Sequence, residues 1–320
     1  MSWAEILIES SAMTKCLFIV AILVVNVVQA YGQDCAASAR EIKPELSASA
    51  RENYEKKLSE ARTIYAANPS DADAIIWLGR RTAYLGEYKA AIKILTDGIA
   101  KFPSDARFYR HRGHRLITLR CFDGAIADLE RALTLIRRNP DEIEPDGLPN
   151  AKNTPTSTLH TNIYYHLGLA YYLKGDFSFA ATHFMNSYNR SKNPDMLVAS
   201  AYWVYMSAAR FGARKNADGL LKKEIKNDLE LIENHDYYKL IKLNKGLLKA
   251  EDLLSEISGD AKTLGSASLG YGIGNYFLYN GDNAKAQAVF QKIVAGNQWS
   301  SFGYIAAEVE LARMGAKKGG

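Results

Sequence analysis

The sequence predicts an all-α chain, a helical solenoid built from antiparallel helix pairs. Three observations lead there. Gly79 and Gly113 lie 34 residues apart, and Pro69 and Pro103 share that step; a fixed step of this size marks stacked supersecondary units. The stretch YYHLGLAYYLKGDFSFAATHF, from Tyr164 to Phe184, has helical apolar spacing yet holds Gly168 in mid-pattern and Gly175 seven residues on. Each glycine costs an isolated helix roughly 1 kcal/mol against alanine, so both need a packing or turn reason. Finally, the same glycine pair returns as Gly79 with Gly86 and as Gly274 with Gly281.

Composition agrees with a globular protein: 48% of the 320 residues are hydrophobic and 23% charged. The net charge of +5 is too mild to imply a nucleic-acid partner by itself. The 19 tyrosines outnumber phenylalanine and tryptophan together and imply many half-exposed aromatic positions. The three cysteines, Cys16, Cys35 and Cys121, exclude a disulfide-dense scaffold and a four-cysteine zinc site.

Residues 1–32 read as a signal peptide. Lys15 precedes an apolar run from Leu17 to Val28, broken only by Asn26, which is shorter than the roughly 20 residues that cross a bilayer. Small residues follow, offering cleavage after Ala30 or Gly32. Glu5 and Glu9 are unusual in a signal's charged region, so Met13 is a candidate true start. The competing reading is an uncleaved membrane anchor. Export would expose Cys35 and Cys121 to an oxidising compartment, where they form a possible disulfide; Cys121 reads equally well as a small packed residue.

Residues 33–71 are predicted as an extension ending in a capping helix, RENYEKKLSEARTIYAANP, in phase through Pro69. Residues 72–139 hold two repeat units. The first supplies Leu78, Gly79, Gly86, Tyr88, Ala91, Leu95 and Pro103; the second supplies Tyr109, Gly113, Phe122, Ala125, Leu129 and Ala132, with Arg120 where the turn glycine is expected. Residues 140–160 break the period. The stretch from Asn139 to His160 has four of the eight prolines, with acidic residues between them, which argues against helix. It reads either as a tolerated surface insertion or as a loop that packs into a groove or forms part of a binding surface.

Residues 161–316 resume the pattern with Tyr164, Leu167, Gly168, Tyr171, Gly175, Phe177, Ala180 and Phe184, and later Gly274, Phe277, Gly281, Ala286 and Phe290. Gly168 and Gly274 are 106 residues apart, three periods plus four, so two degenerate units fit between them, around Ala201–Gly212 and Tyr237–Leu254. A lone first helix, SFGYIAAEVELARMG, is expected to cap the chain with Gly315 at its turn, leaving 317–320 as a tail.

On these residues the chain resembles the tetratricopeptide repeat family. The resemblance implies a right-handed solenoid with a concave inner face, in which neighbouring pairs must stack to bury their apolar sides. It also implies facing small residues, Gly168 against Ala180, that let two helix backbones approach, and a turn at Gly175 open to glycine at little steric cost.

No catalytic chemistry is legible, and the chain reads as a non-enzyme. His111 and His114 in HRGH stand one turn apart, but Arg110 and Arg112 interleave with them and no carboxylate-rich motif accompanies them, so no metal is expected. GYGIGN, from Gly270 to Asn275, has no strand before it to make a phosphate-cradling loop, and DEIEPDG lacks calcium-loop spacing. No nucleophile motif such as G-x-S-x-G occurs. No cofactor is implied.

Carrying the family's inner-face positions over gives a ligand-binding groove of Arg80 and Tyr84; then Arg107, Arg110 and His114; then Asn162, Tyr165 and Tyr172; and later Tyr271, Asn275 and Tyr279. The wall is basic at one end and aromatic and polar at the other. The lysine/asparagine carboxylate clamp of some relatives is not reproduced, because Ile76, Arg80, His111, Asn162 and His166 occupy its positions. The expected function is a non-catalytic, exported scaffold binding a protein or an acidic peptide, periplasmic or secreted. The alternatives are an envelope assembly factor tethered by an uncleaved N-terminus, and an accessory subunit of an exported enzyme. Membrane contact is expected only if the N-terminal segment is retained.

Overall fold

The structure is a computed structural model that describes residues 35–258 and 264–318. The expected signal segment lies outside the described residues. Among those described, no helix is long and apolar enough to cross a membrane.

The fold is an all-α helical solenoid with no strand among the described residues. Its helices are α1 (Ala48–Ala67), α2 (Ala72–Tyr84), α3 (Tyr88–Lys101), α4 (Ala106–Thr118), α5 (Phe122–Ile136), α6 (Leu159–Lys174), α7 (Phe177–Arg190), α8 (Pro194–Arg210), α9 (Arg214–Glu224), α10 (His235–Asn244), α11 (Ala250–Ser258), α12 (Leu264–Tyr279), α13 (Asn283–Val294) and α14 (Phe302–Lys318). Successive helices pack in antiparallel pairs, and the first helices α2, α4, α6 and α8 also touch one another in sequence, forming an inner layer. Their starts are set by side-chain caps: Asp71 on α2, Asp105 on α4, a Thr158–Thr161 capping box on α6 and Asn193 on α8.

The mid-helix glycines have one recurring reason. A Cβ on Gly168 would stand 3.0 Å from the ring of Phe184, one on Gly113 2.8 Å from Leu129 Cγ, and one on Gly79 3.1 Å from Leu95 Cγ; Gly274 faces Phe290 in the same way. In all four the large residue lies sixteen positions later, on the second helix of the pair. Gly168 therefore makes room for a large ring. This corrects the expectation that it faces the small Ala180, although Ala180 is itself buried in the same interface.

Seven residues after each packing glycine the chain turns with positive φ: Gly86 (82°), Gly175 (98°) and Gly281 (87°). The second unit uses Arg120 at φ 64° instead, a conformation that costs a residue bearing a Cβ roughly 1–2 kcal/mol. The two intervening units are α8–α9, turning at Gly212, and α10–α11, turning at Gly246.

Two segments depart from simple stacking. The insertion after α5 folds over the inner helices, with its feet joined by an isolated antiparallel bridge between Ile143 and Thr158. At the other end α14 turns back across α6, α12 and α13. Gly315 lies inside α14, which continues to Lys318, so no turn falls there as expected from sequence. A disulfide joins Cys35 to Cys121, at Cα–Cα 5.8 Å, and ties the N-terminal arm to the α4–α5 turn.

Candidate functional site

The inner face of α2 and α4 is basic, and the chain's own insertion covers it. Arg80 Nη2 donates to the Pro145 carbonyl (2.8 Å) and Arg81 Nη1 to the Gly147 carbonyl (2.6 Å). Glu144, buried at 8% exposure, pairs with buried Arg110 (Nη2–Oε1 2.9 Å), and the His111 ring stands 3.9 Å from the same oxygen. Gly147 sits against the Tyr84 hydroxyl, where no side chain would fit. Asp141 anchors the far end of the insertion by accepting from Thr158 Oγ1 and from the His160 amide. A segment with four prolines therefore stays in place by borrowing donors from two inner helices.

Glu144 is an imperfect occupant. Its Oε2 and the Arg110 Nε are both buried with no hydrogen-bond partner. Arg110 Nη1 faces His111 Nδ1 (3.2 Å) and His114 Nδ1 (3.4 Å); since arginine only donates, both Nδ1 atoms accept and each ring carries its proton on Nε2. The histidines of HRGH thus orient an arginine. Burial, reinforced by the surrounding arginines, holds His111, His114 and His166 well below the ordinary histidine range.

Arg80, Tyr84, Arg110, His111, His114 and Arg115 line a cavity of about 100 Å³ that Glu144 does not line. A second opening of about 200 Å³ lies between Trp77, Arg107 and the insertion's Glu142 and Pro145. Arg115 is a member that the sequence comparison missed. It stands one turn beyond His111 on the same helix face. Burial, with Arg110 and Arg80 adding to it, pulls the Arg115 guanidinium down to about 10.

The other expected groove residues are dispersed. Arg107 is neutralised by Asp105 and Asp73, each at 2.6 Å, and adds little free charge to the wall. Tyr84 is partly buried beside Tyr54, with ring centroids 6.1 Å apart. Asn162 and Tyr165 are buried; Asn162 donates to Ser157 Oγ (2.9 Å) and Tyr165 to the Tyr237 hydroxyl (3.3 Å). Tyr279 donates to Asn244 Oδ1 (2.5 Å).

Tyr172, Tyr271 and Asn275 are at most 1% exposed, which corrects the expectation that they line an open groove. The Tyr172 hydroxyl accepts from Tyr271 (2.7 Å) and from Asn275 Nδ2 (3.0 Å). The two tyrosine rings pack on Phe177, Trp203 and Phe290 of neighbouring helices, and beside them α6 and α12 are packed against α14. Its Glu310, 1% exposed, receives Arg210 (2.6 Å) and Arg313 (2.8 Å), while Arg313 also donates to the Leu173 carbonyl (2.7 Å). Phe302 packs on the rings of His114 and His166, at 5.2 and 5.6 Å. The aromatic half of the wall is core, and the basic half remains as the candidate site.

Against known proteins, no family model matches the chain and no curated protein does. Among solved structures it is similar to YrrB, described as a TPR protein with an unusual peptide-binding site: 14% identity, TM-score 0.42, covering 78% of this chain and 97% of that one. It is also similar to the Naa15/Naa10 complex bound to HypK-THB (14%, TM-score 0.37, 77% of this chain and 35% of that one) and to the P58(IPK) TPR domain (13%, TM-score 0.24, 82% and 94%).

Proposed function

We propose that this chain is an exported, non-catalytic scaffold that binds an acidic, extended protein segment along the inner face of α2 and α4, in exchange for its own insertion. The observation that carries this reading is Glu144 on Arg110, flanked by backbone carbonyls on Arg80 and Arg81. The insertion occupies the groove as an extended acidic ligand would, with a carboxylate on a guanidinium, the pairing that forms short charge-assisted bonds. A buried pair with one donor and one acceptor unmatched is weakly held, so a partner that satisfies both atoms displaces it. Export is supported by the apolar run Leu17–Val28 and by the Cys35–Cys121 disulfide, since such bonds persist in oxidising compartments.

The test opens the groove and returns its occupant. In a variant with residues 143–156 replaced by a Gly/Ser linker of equal length, Asp141, Thr158 and the α6 cap are retained. A synthetic peptide of residues 139–158 is expected to bind this variant with an affinity that falls as salt rises. Arg80→Glu with Arg110→Glu should abolish that binding. Absence of binding to the opened, folded variant overturns the reading. N-terminal sequencing of the exported chain is expected to begin near Tyr31 or Gln33; a start at Met1 or Met13 overturns the cleaved-signal part.

A further inference from the structure

We infer that Arg80, Arg110 and Arg115 form an anion pocket for one small oxyanion group, carboxylate or phosphoryl, in a cavity of the inner face that Glu144 does not line. The inference rests on the binding surface proposed above and adds the chemistry of its innermost subsite.

The wall of the 100 Å³ cavity carries three guanidinium groups and no carboxylate. That space is roomy enough for a carboxylate or a tetrahedral oxyanion. Glu144 reaches only Arg110, through Nη2. The two histidines take Nη1, which leaves Arg110 Nε as a buried donor without an acceptor. Arg115 is partly buried, and its guanidinium has no hydrogen bond or ion pair among the described residues. Arg80 donates outward to the insertion's Pro145 carbonyl.

Three like charges gathered in a partly buried space repel one another, and burial strips the water that would screen them. One anion contacting all three relieves both costs, and arginine's planar fork suits it. The Tyr84 hydroxyl and the ring protons of His111 and His114 are neutral donors in the same wall. They add hydrogen bonds without adding charge.

The experiment is calorimetric titration of the full oxidised chain with inorganic phosphate and, separately, with acetate, at ionic strength held constant with sodium chloride. A saturable one-to-one isotherm is expected for at least one anion. Phosphate tighter than acetate by tenfold assigns a free or ligand-borne phosphoryl group; the reverse order assigns a peptide carboxylate. Arg115→Gln and Arg115→Met, which touch no ion pair, should each weaken binding at least tenfold. Glu144→Gln should tighten it several-fold by removing the competing charge.

No saturable binding of either anion, or unchanged affinity in both folded Arg115 variants, overturns the pocket. The peptide titration of the linker variant reads the groove independently. Peptide binding without anion binding sinks the pocket alone, and anion binding without peptide binding sinks the groove reading alone.

Discussion

Arg120 holds φ 64° in a turn where the equivalent positions are glycine, and its side chain offsets the strain. The guanidinium lies 3.9 Å from the Trp299 ring centroid, pairs with Glu308 at 2.8 Å, and donates to the carbonyls of Trp299 (3.0 Å) and Thr118 (2.5 Å). It clamps the segment before α14 onto the α4–α5 turn, next to the disulfide. The cation–ring contact contributes about 0.5–2 kcal/mol. The ion pair adds at most about 1 kcal/mol, since Glu308 is 44% exposed. The carbonyl bonds add about 0.5–1.5 kcal/mol each. Because such terms do not add fully, the clamp contributes about 2–4 kcal/mol.

Arg120→Ala removes the clamp and keeps the strain. Arg120→Gly removes both, recovering about 1–2 kcal/mol of left-handed cost less about 0.5–1 kcal/mol of extra chain entropy. Urea denaturation of the oxidised proteins should therefore rank wild type above Arg120→Gly, and Arg120→Gly above Arg120→Ala by about 0.5–1 kcal/mol. If the alanine variant matched or exceeded the glycine variant, the strain would not exceed glycine's extra chain entropy of about 0.5–1 kcal/mol, and the assigned cost of about 1–2 kcal/mol would be wrong. If the glycine variant matched wild type, the clamp would contribute no more than the roughly 0.5–1 kcal/mol that glycine recovers, well short of about 2–4 kcal/mol.

Gly168→Leu should destabilise by several kcal/mol, about 1–3 or more, because its Cβ alone meets the Phe184 ring at 3.0 Å; melting like the parent would refute the contact. Gly175→Leu meets no close backbone, only the Arg313 guanidinium at 3.3 Å, and its expected cost of about 1–2 kcal/mol comes mainly from φ 98°, so urea midpoints should place it between wild type and Gly168→Leu. Glu310→Gln leaves Arg210 and Arg313 without their carboxylate and should cost about 3–5 kcal/mol by thermal or urea denaturation; an unchanged midpoint would show that α14 is not held there. His111, His114 and His166 have folded pKa values depressed below the unfolded value of about 6.5, so the unfolded chain binds more protons as pH falls below that value. Stability is then full above about pH 6.5 and is lost on acidification toward the folded values, by about 1.4 kcal/mol per pH unit for each histidine that stays neutral when folded. Urea midpoints equal at pH 7.5 and 5.5 would refute the neutral, buried state.

What the sequence alone determined is the part of the fold made by neighbours. A glycine on one helix and a large residue sixteen positions later, as in Gly113 with Leu129, write a short-range contact into every unit, so the period and the turn positions survive in the linear pattern. The basic character of Arg80 and Arg110 was legible for the same reason, since both sit at repeat positions. The tertiary structure alone decided what covers the inner face. The clamp from Arg120 to Glu308 spans 188 residues, and the hydrogen bond from Arg81 to Gly147 spans 66. Neither contact repeats, so no spacing announces it. Tyr172 and Tyr271 have the pattern of groove residues and become core because Trp203 of α8 packs on both rings. Arg115 acquires its place only when Glu144 settles on Arg110 and leaves the charge beside it uncompensated. Burial depends on which distant segment arrives, and that is set by summed long-range packing free energy, which a local periodicity does not encode.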